Sequence, residues 1–127
     1  MNLVDSSGWL EYFADGKNAG FFASPIENTK ALVVSSINCY EVFKRIAQQR
    51  DENAAMQAIA VMQEGVVVDV SDDLAIAAAK IAIELRLPMA DSLILATARL
   101  HRATLWTQDA DFEAIAGVKY VTRKLGK

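Results

Sequence analysis

The chain has 127 residues, 53% hydrophobic and 23% charged, with 6 glycines and 2 prolines, which suffices for one self-supporting core and excludes a disordered, collagenous or low-complexity chain. Its formal net charge of −3 excludes a binder that grips nucleic acid through bulk positive charge, though not an enzyme with a basic rim around an acidic centre. The single Cys39 and single His101 exclude an internal disulfide, a zinc site of the H-E-x-x-H kind and a ribonuclease that uses two histidines as acid and base.

Residues 1–5, MNLVD, read as a short apolar strand ending in an acid, broken by Ser6, Ser7 and Gly8. Helical spacing runs from Trp9 to Phe13, and Asp15-Gly16-Lys17-Asn18 is a turn. Residues 21–30 carry Pro25 and read as polar and irregular. Ala31 to Ser35 is a second buried strand. Asn38 and Glu41 then stand three apart before an apolar-periodic run, a capping-box pattern that predicts a helix over Cys39–Arg50. Its apolar face is Val42, Phe43 and Ile46, with Lys44, Arg45 and Arg50 towards water. A helix over Glu52–Gln63 is expected to bury Met56, Ile59, Ala60 and Met62 and to stop at Gly65.

Val66 to Val70 is a third extended segment. Ser71, Asp72 and Asp73 open a helix to Leu85 whose inner face is Leu74, Ala78, Ile81 and Leu85, and the acidic first turn suits the helix dipole. The small run Ala75–Ala79 suits close packing within the domain or at a subunit interface. After Pro88 a helix is predicted over Asp91–His101, then a strand over Thr104–Thr107, a turn and short helix over Asp109–Ile115, and a last strand over Lys119–Thr122. Apolar strands alternating with helices predict an α/β fold, a single domain over residues 1–127, with a central parallel sheet of four to five strands sandwiched by helices. No apolar run approaches the roughly 18 residues of a membrane span. The lone cysteine and an N-terminus without a basic run lead to the expectation of a cytoplasmic protein without a secretory signal.

Ligands of such sheets bind beyond the carboxyl ends of the strands. Asp5, Glu41, Asp91 and Asp109 come from four segments that could meet there. Each also has a plain structural reading. Asp5 can be a solvated strand-end acid, Glu41 the partner of the Asn38 cap, Asp91 a helix-start acid, and Asp109 and Asp111 turn formers. Only the conjunction argues for function. Two carboxylates about 5 Å apart repel by roughly 3 kcal/mol at an effective dielectric near 20. Four together therefore call for a cation, and oxygen ligands favour Mg²⁺ or Mn²⁺.

The strings NLVDSSGWLEYF, VVSSINCYEVFKR, LPMADSLILATARL and LWTQDADF resemble, in this order and spacing, the PIN domain and within it the VapC-type toxins of bacterial toxin–antitoxin pairs. The resemblance implies a metal-dependent ribonuclease whose acidic quartet is Asp5, Glu41, Asp91 and Asp109, holding Mg²⁺ with Mn²⁺ able to substitute. In such an enzyme the ion activates water for in-line attack on a phosphodiester. Ser6 matches the small polar residue after the first acid, and Thr107 the hydroxyl residue before the last. Arg45 stands where the family commonly has glycine, and Asn38 where it commonly has threonine. Asp111 could share metal binding or cap the short helix beginning near Phe112, and capping or support of the metal ligands is the favoured expectation.

The resemblance further implies an RNA substrate, a small cognate antitoxin protein that blocks the site, and a homodimer. Lys44, Arg45, Arg99 and Arg102 lie on helices that carry the acids and are candidates for phosphate contacts, with a solvated helix face as the default. Cys39 reads as a small core residue, and His101 as a helix-end residue. Trp106 reads as core, while Trp9 with Tyr12 and Phe13 could form core, a partner surface or an RNA-stacking surface. Two other classes compete. One is a catalytically silent PIN-like module that binds RNA or protein, against which four mutually repelling acids speak. The other is a phosphatase built on Asp109 and Asp111, against which the sequence D-S-S after the first strand speaks.

Overall fold

The strands are short, and in the three central ones the side chains alternate between two apolar cores. In the computed structural model, which describes residues 1–124, the elements are β1 (Asn2–Val4), α1 (Ser6–Phe13), α2 (Ala19–Glu27), β2 (Leu32–Ser35), α3 (Ser36–Gln49), α4 (Glu52–Met62), β3 (Val66–Val68), α5 (Asp72–Leu85), α6 (Met89–Leu100), β4 (Thr104–Thr107) and β5 (Val118–Tyr120). The strands form one sheet in the order β3-β2-β1-β4-β5, and every pairing is parallel. Leu3, Val33 and Leu105 face a core made with α5 and α6. Val4, Val34 and Trp106 face the other core, made with α1 to α4. The period of two along β1, β2 and β4 thus feeds both layers, which is why these strands read as unbroken apolar runs. Among the described residues no helix is long and apolar enough to cross a membrane.

Several local readings are corrected. Ser6, Ser7 and Gly8 do end the strand, but as the first turn of α1, which starts directly after Asp5 and not at Trp9. Gly8 is there because Phe22 and Val4 press on it, and a Cβ would stand 2.6 Å from the Phe22 ring. Residues 19–27 are a helix despite Pro25, since Phe22 and Ile26, one turn apart, are buried against Val4, Leu32 and Trp106. The inner face of α4 is Ala55, Ala58 and Met62, while Met56 is exposed. Small alanines, not the larger methionine, let α4 lie close against α3. β3 is a three-residue edge strand with exposed Val66 and Val67. Trp9 is fully buried and stacks on Phe13 at 5.7 Å, so it belongs to the core and presents no stacking surface.

Candidate metal centre

The strand order places β1 beside β4, and their onward connections leave in opposite directions, towards β2 and towards β5. A crevice opens beyond the carboxyl ends of two such strands. Asp5 is the first residue after β1, and its N–H donates to the Trp106 carbonyl at 2.9 Å, extending the ladder with β4. Asp109 lies two residues beyond β4, and Asp91 is in the first turn of α6.

Glu41 reaches the same edge because α3 begins earlier than its sequence pattern suggests. Ser35 is the cap: its Oγ accepts from the Ile37 N–H at 3.1 Å, and Asn38 Oδ1 accepts from the Ser35 N–H at 3.1 Å. The reciprocal box is therefore Ser35 with Asn38, and Glu41 has no part in it. Instead Glu41 Oε1 accepts from Ser6 Oγ at 2.6 Å, and Ser6 Oγ accepts from Asn38 Nδ2 at 2.9 Å. This relay joins the first turns of α1 and α3, with Asn38 fully buried and Ser6 nearly so.

Asp5 is 3% exposed. Its Oδ2 accepts from Ser7 Oγ at 2.7 Å and from Thr107 Oγ1 at 3.0 Å. Thr107 Oγ1 accepts in turn from the Asp109 N–H at 2.9 Å. Burial raises the Asp5 carboxyl above the usual range, the two hydroxyl donors pull it down, and the charges of Asp109 and Glu41 push it up again. Asp91 is pushed up to about 7, by burial first and then by Asp5, Asp109, Asp111 and Glu41. Asp109 Oδ1 accepts from the Asp111 N–H at 3.0 Å, so Asp109, and not Asp111, caps the 3₁₀ turn Ala110–Phe112.

All four acids of the expected quartet line one cleft of about 500 Å³. The tightest group is a different triad. One carboxylate oxygen each from Asp91, Asp109 and Asp111 lies within 4.8 Å of the other two. Asp5 and Glu41 stand outside that triad, though their charges act on Asp91. The donors are all carboxylate oxygens, with no thiol or imidazole among them. That set fits a hard divalent cation of the Mg²⁺ or Mn²⁺ kind, and Asp5 and Asp91 are raised by burial first, with the charge of the neighbouring acids adding to it.

The basic candidates separate. Arg45 lines the cleft. Lys44 lies in a shallow groove beside it with Tyr40 and Glu41, its Nζ 5.8 Å from the Tyr40 ring centre. Arg99 and Arg102 do not line the cleft. They stand at the C-terminal end of α6, about 12 Å or more along the helix axis from Asp91, so sharing a helix with an acid does not put them beside it. Arg50, expected only to face water, and Arg123 also line the cleft. Arg123 lies three residues beyond β5 and directly after the strand end expected at Thr122, and that position was the available signal.

A buried amide clamp was also not legible in the sequence. Asn18 Nδ2 donates to Gln108 Oε1 at 2.9 Å and to the Thr122 carbonyl at 3.1 Å. Gln108 Nε2 donates to Glu11 Oε1 at 3.3 Å and to the Ser7 carbonyl at 3.4 Å. The clamp ties the residue between Thr107 and Asp109 to α1 and to the chain after β5. Cys39 is half-buried against the core, and burial raises its thiol, which opposes a nucleophilic role.

The sequence profile of the PIN domain matches residues 3–118. Among solved structures, one chain of a toxin–antitoxin complex from Klebsiella pneumoniae is 25% identical, with a TM-score of 0.80 over 94% of this chain and 96% of that one. A sarcin–ricin loop cleaving VapC toxin of Mycobacterium tuberculosis shares the fold at 19% identity and a TM-score of 0.76, over 91% and 95%. A chain of DNA-bound VapBC from Salmonella typhimurium does so at 17% and 0.73, over 96% and 98%. No curated protein matches the chain in sequence.

Proposed function

Since this chain belongs to the PIN domain family, we propose that it is a Mg²⁺- or Mn²⁺-dependent endoribonuclease, the toxin of a toxin–antitoxin pair. The observation that carries the reading is the meeting of carboxylates from four separate segments on one cleft, at a cost to the metal-free fold that a bound cation would relieve. The Klebsiella pneumoniae relative belongs to a toxin–antitoxin complex, and the Mycobacterium tuberculosis relative cleaves the sarcin–ricin loop. Both support the class of activity without naming the RNA cut here.

Asp91, Asp109 and Asp111 are the first candidates to hold the ion, with Asp5 and Glu41 completing the negative field. When bound, the ion supplies Lewis acidity and charge stabilisation at a phosphodiester. The chain's own groups do the positioning. Ser7 and Thr107 fix the Asp5 carboxylate, and Ser6 fixes Glu41. Thr107 also holds the backbone of Asp109, so one hydroxyl orients two acids. Arg45, Arg50 and Arg123 on the cleft wall offer phosphate contacts. An antitoxin that presents a basic side chain to the acids would block the same cleft.

The test is cleavage of total RNA by the wild type and by Asp5→Asn, purified in parallel, with Mg²⁺ or with EDTA. Asn keeps the size of the side chain and removes its charge. The expected result is cleavage by the wild type that EDTA abolishes and that Asp5→Asn lowers by roughly 100-fold or more. Equal cleavage by the two proteins, or cleavage that survives EDTA, would overturn the reading.

A further inference from the structure

α3 carries an exposed aromatic ring just outside the cleft. Tyr40 is 63% exposed, and among the described residues of α3 no other large apolar side chain is exposed. Tyr40 lines a shallow groove with Glu41, Lys44, Arg45 and Gln48. Residues three and four apart are neighbours on a helix surface. Lys44 therefore stands beside Tyr40 and Gln48, and Glu41 stands beside Lys44 and Arg45. Glu41 and Arg45 also line the acidic cleft. The groove thus continues the cleft over the rim of α3.

The chemistry of the groove selects its occupant. Lys44 Nζ lies 5.8 Å from the Tyr40 ring centre, near the roughly 6 Å limit of cation–π reach. The ammonium is held beside a ring that is still open to solvent. Glu41, the acid of the groove, is already engaged by Ser6 Oγ at 2.6 Å. What remains is a flat ring flanked by two exposed cations, Lys44 and Arg45, on a chain of net charge −3. A docking protein helix would need a line of apolar neighbours, but the positions one and two turns on from Tyr40 are Lys44 and Gln48. Single-stranded nucleic acid is held by stacking a base on an aromatic face while cations meet the backbone phosphates. A base inside a duplex has no free face to offer.

We propose that Tyr40 is a stacking platform for an unpaired base flanking the cut phosphodiester, with Lys44 on a phosphate of the same strand. This rests on the reading of the cleft as a ribonuclease site. It adds that the RNA leaves the cleft as a single strand across α3, so that pairing at this nucleotide selects against a substrate. The platform tolerates any base, because every base has a face to stack.

The test is fluorescence anisotropy of a labelled mixed-sequence RNA of roughly ten nucleotides, single-stranded or paired with its complement. The parent protein is Asp5→Asn with Mg²⁺, which keeps the probe intact. Adding Tyr40→Ala is expected to weaken single-strand binding by roughly tenfold and to leave duplex binding within about twofold. Tyr40→Phe is expected to bind as the parent does, since the ring and not the hydroxyl stacks. Lys44→Gln is expected to reduce the slope of log affinity against log salt by about 0.7. Tyr40→Trp adds an exposed indole to a chain whose Trp9 and Trp106 are buried, and the single strand is expected to quench its emission. A parent that binds no single strand, a Tyr40→Ala that binds it equally well, an equal loss on the duplex, or a Tyr40→Phe as weak as Tyr40→Ala would each overturn the proposal. Cleavage that depends on metal and Asp5 while Tyr40→Ala binds and cuts like the wild type would sink the platform alone. Cleavage that survives EDTA while Tyr40→Ala still loses the single strand would sink the nuclease reading alone.

Discussion

At Asp91 the fold makes an ordinary carboxylate reluctant to ionise. Its pKa is raised from 3.8 to about 7 by burial and by the negative charge of Asp5, Asp109, Asp111 and Glu41. The folded state therefore binds this proton more tightly than the unfolded state does. Its contribution to stability is fully present below pH 4 or so and is lost as pH rises through about 7. Discounted for screening of a half-buried group, the loss is on the order of 2 kcal/mol, or about 8 °C in melting temperature for a domain of this size. In EDTA most of that fall in melting temperature is expected between pH 5 and pH 8, and Asp91→Asn is expected to flatten the slope. A wild-type profile that stays flat over this interval would show that neither burial nor the neighbouring acids raise Asp91. The acids themselves could be picked out from the chain because each follows a strand or opens a helix. Their division of labour could not. Whether Asn38 pairs with Ser35 or Glu41, and whether Asp109 or Asp111 caps the turn, depends on where a helix starts to within a residue or two. Sequence periodicity does not fix starts that finely.

Among the elements, the strands and the long helices α3, α5 and α6 follow from apolar periodicity, and the misreadings fall where a small residue has a tertiary reason to be there. Gly8 looks like a breaker but is a point of close approach between α1 and Phe22. Pro25 looks like the end of any helix, yet burial of Phe22 and Ile26 outweighs the lost hydrogen bond. The alanines of α4 carry little hydrophobic signal but form its inner face. Two glycines now separate these cases. A Cβ at Gly8 would meet Phe22 and Val4 at under 3 Å, whereas at Gly20 nothing lies within 4 Å. Gly8→Ala is expected to destabilise by about 1–2 kcal/mol, overpacking outweighing the gain in helix propensity. Gly20→Ala, inside α2, is expected to stabilise by up to about 1 kcal/mol. Urea titration of the two variants checks both signs, and a stabilised Gly8→Ala would remove the packing explanation.

For the molecule as a whole, alternation of strands and helices dictates a parallel sheet with both faces covered, but strand order is not written in any one segment. The order β3-β2-β1-β4-β5 makes Asp5 and Asp109 neighbours although most of the chain separates them. Only the folded chain therefore concentrates the acids, and the unfolded chain offers a divalent cation no comparable site. Binding to the cluster must then stabilise the fold by mass action. At an ion concentration 100 times the dissociation constant the gain is about 2.7 kcal/mol, equivalent to about 10 °C in melting temperature here. Millimolar Mn²⁺ or Mg²⁺ at pH 8, with ionic strength matched by NaCl so that general screening is held constant, is expected to give a shift of this order. Asp109→Asn with Asp111→Asn should abolish most of it, because two of the three mutually close carboxylates are then gone. Glu64→Gln, an exposed acid that does not line the cleft, should leave it intact. A shift equal in all three proteins would mean that the cation acts on the net charge of −3 and not on this cluster. A shift that only Asp5→Asn removes would move the ion towards the buried side of the cleft, where Ser7 and Thr107 already hold one carboxylate in place.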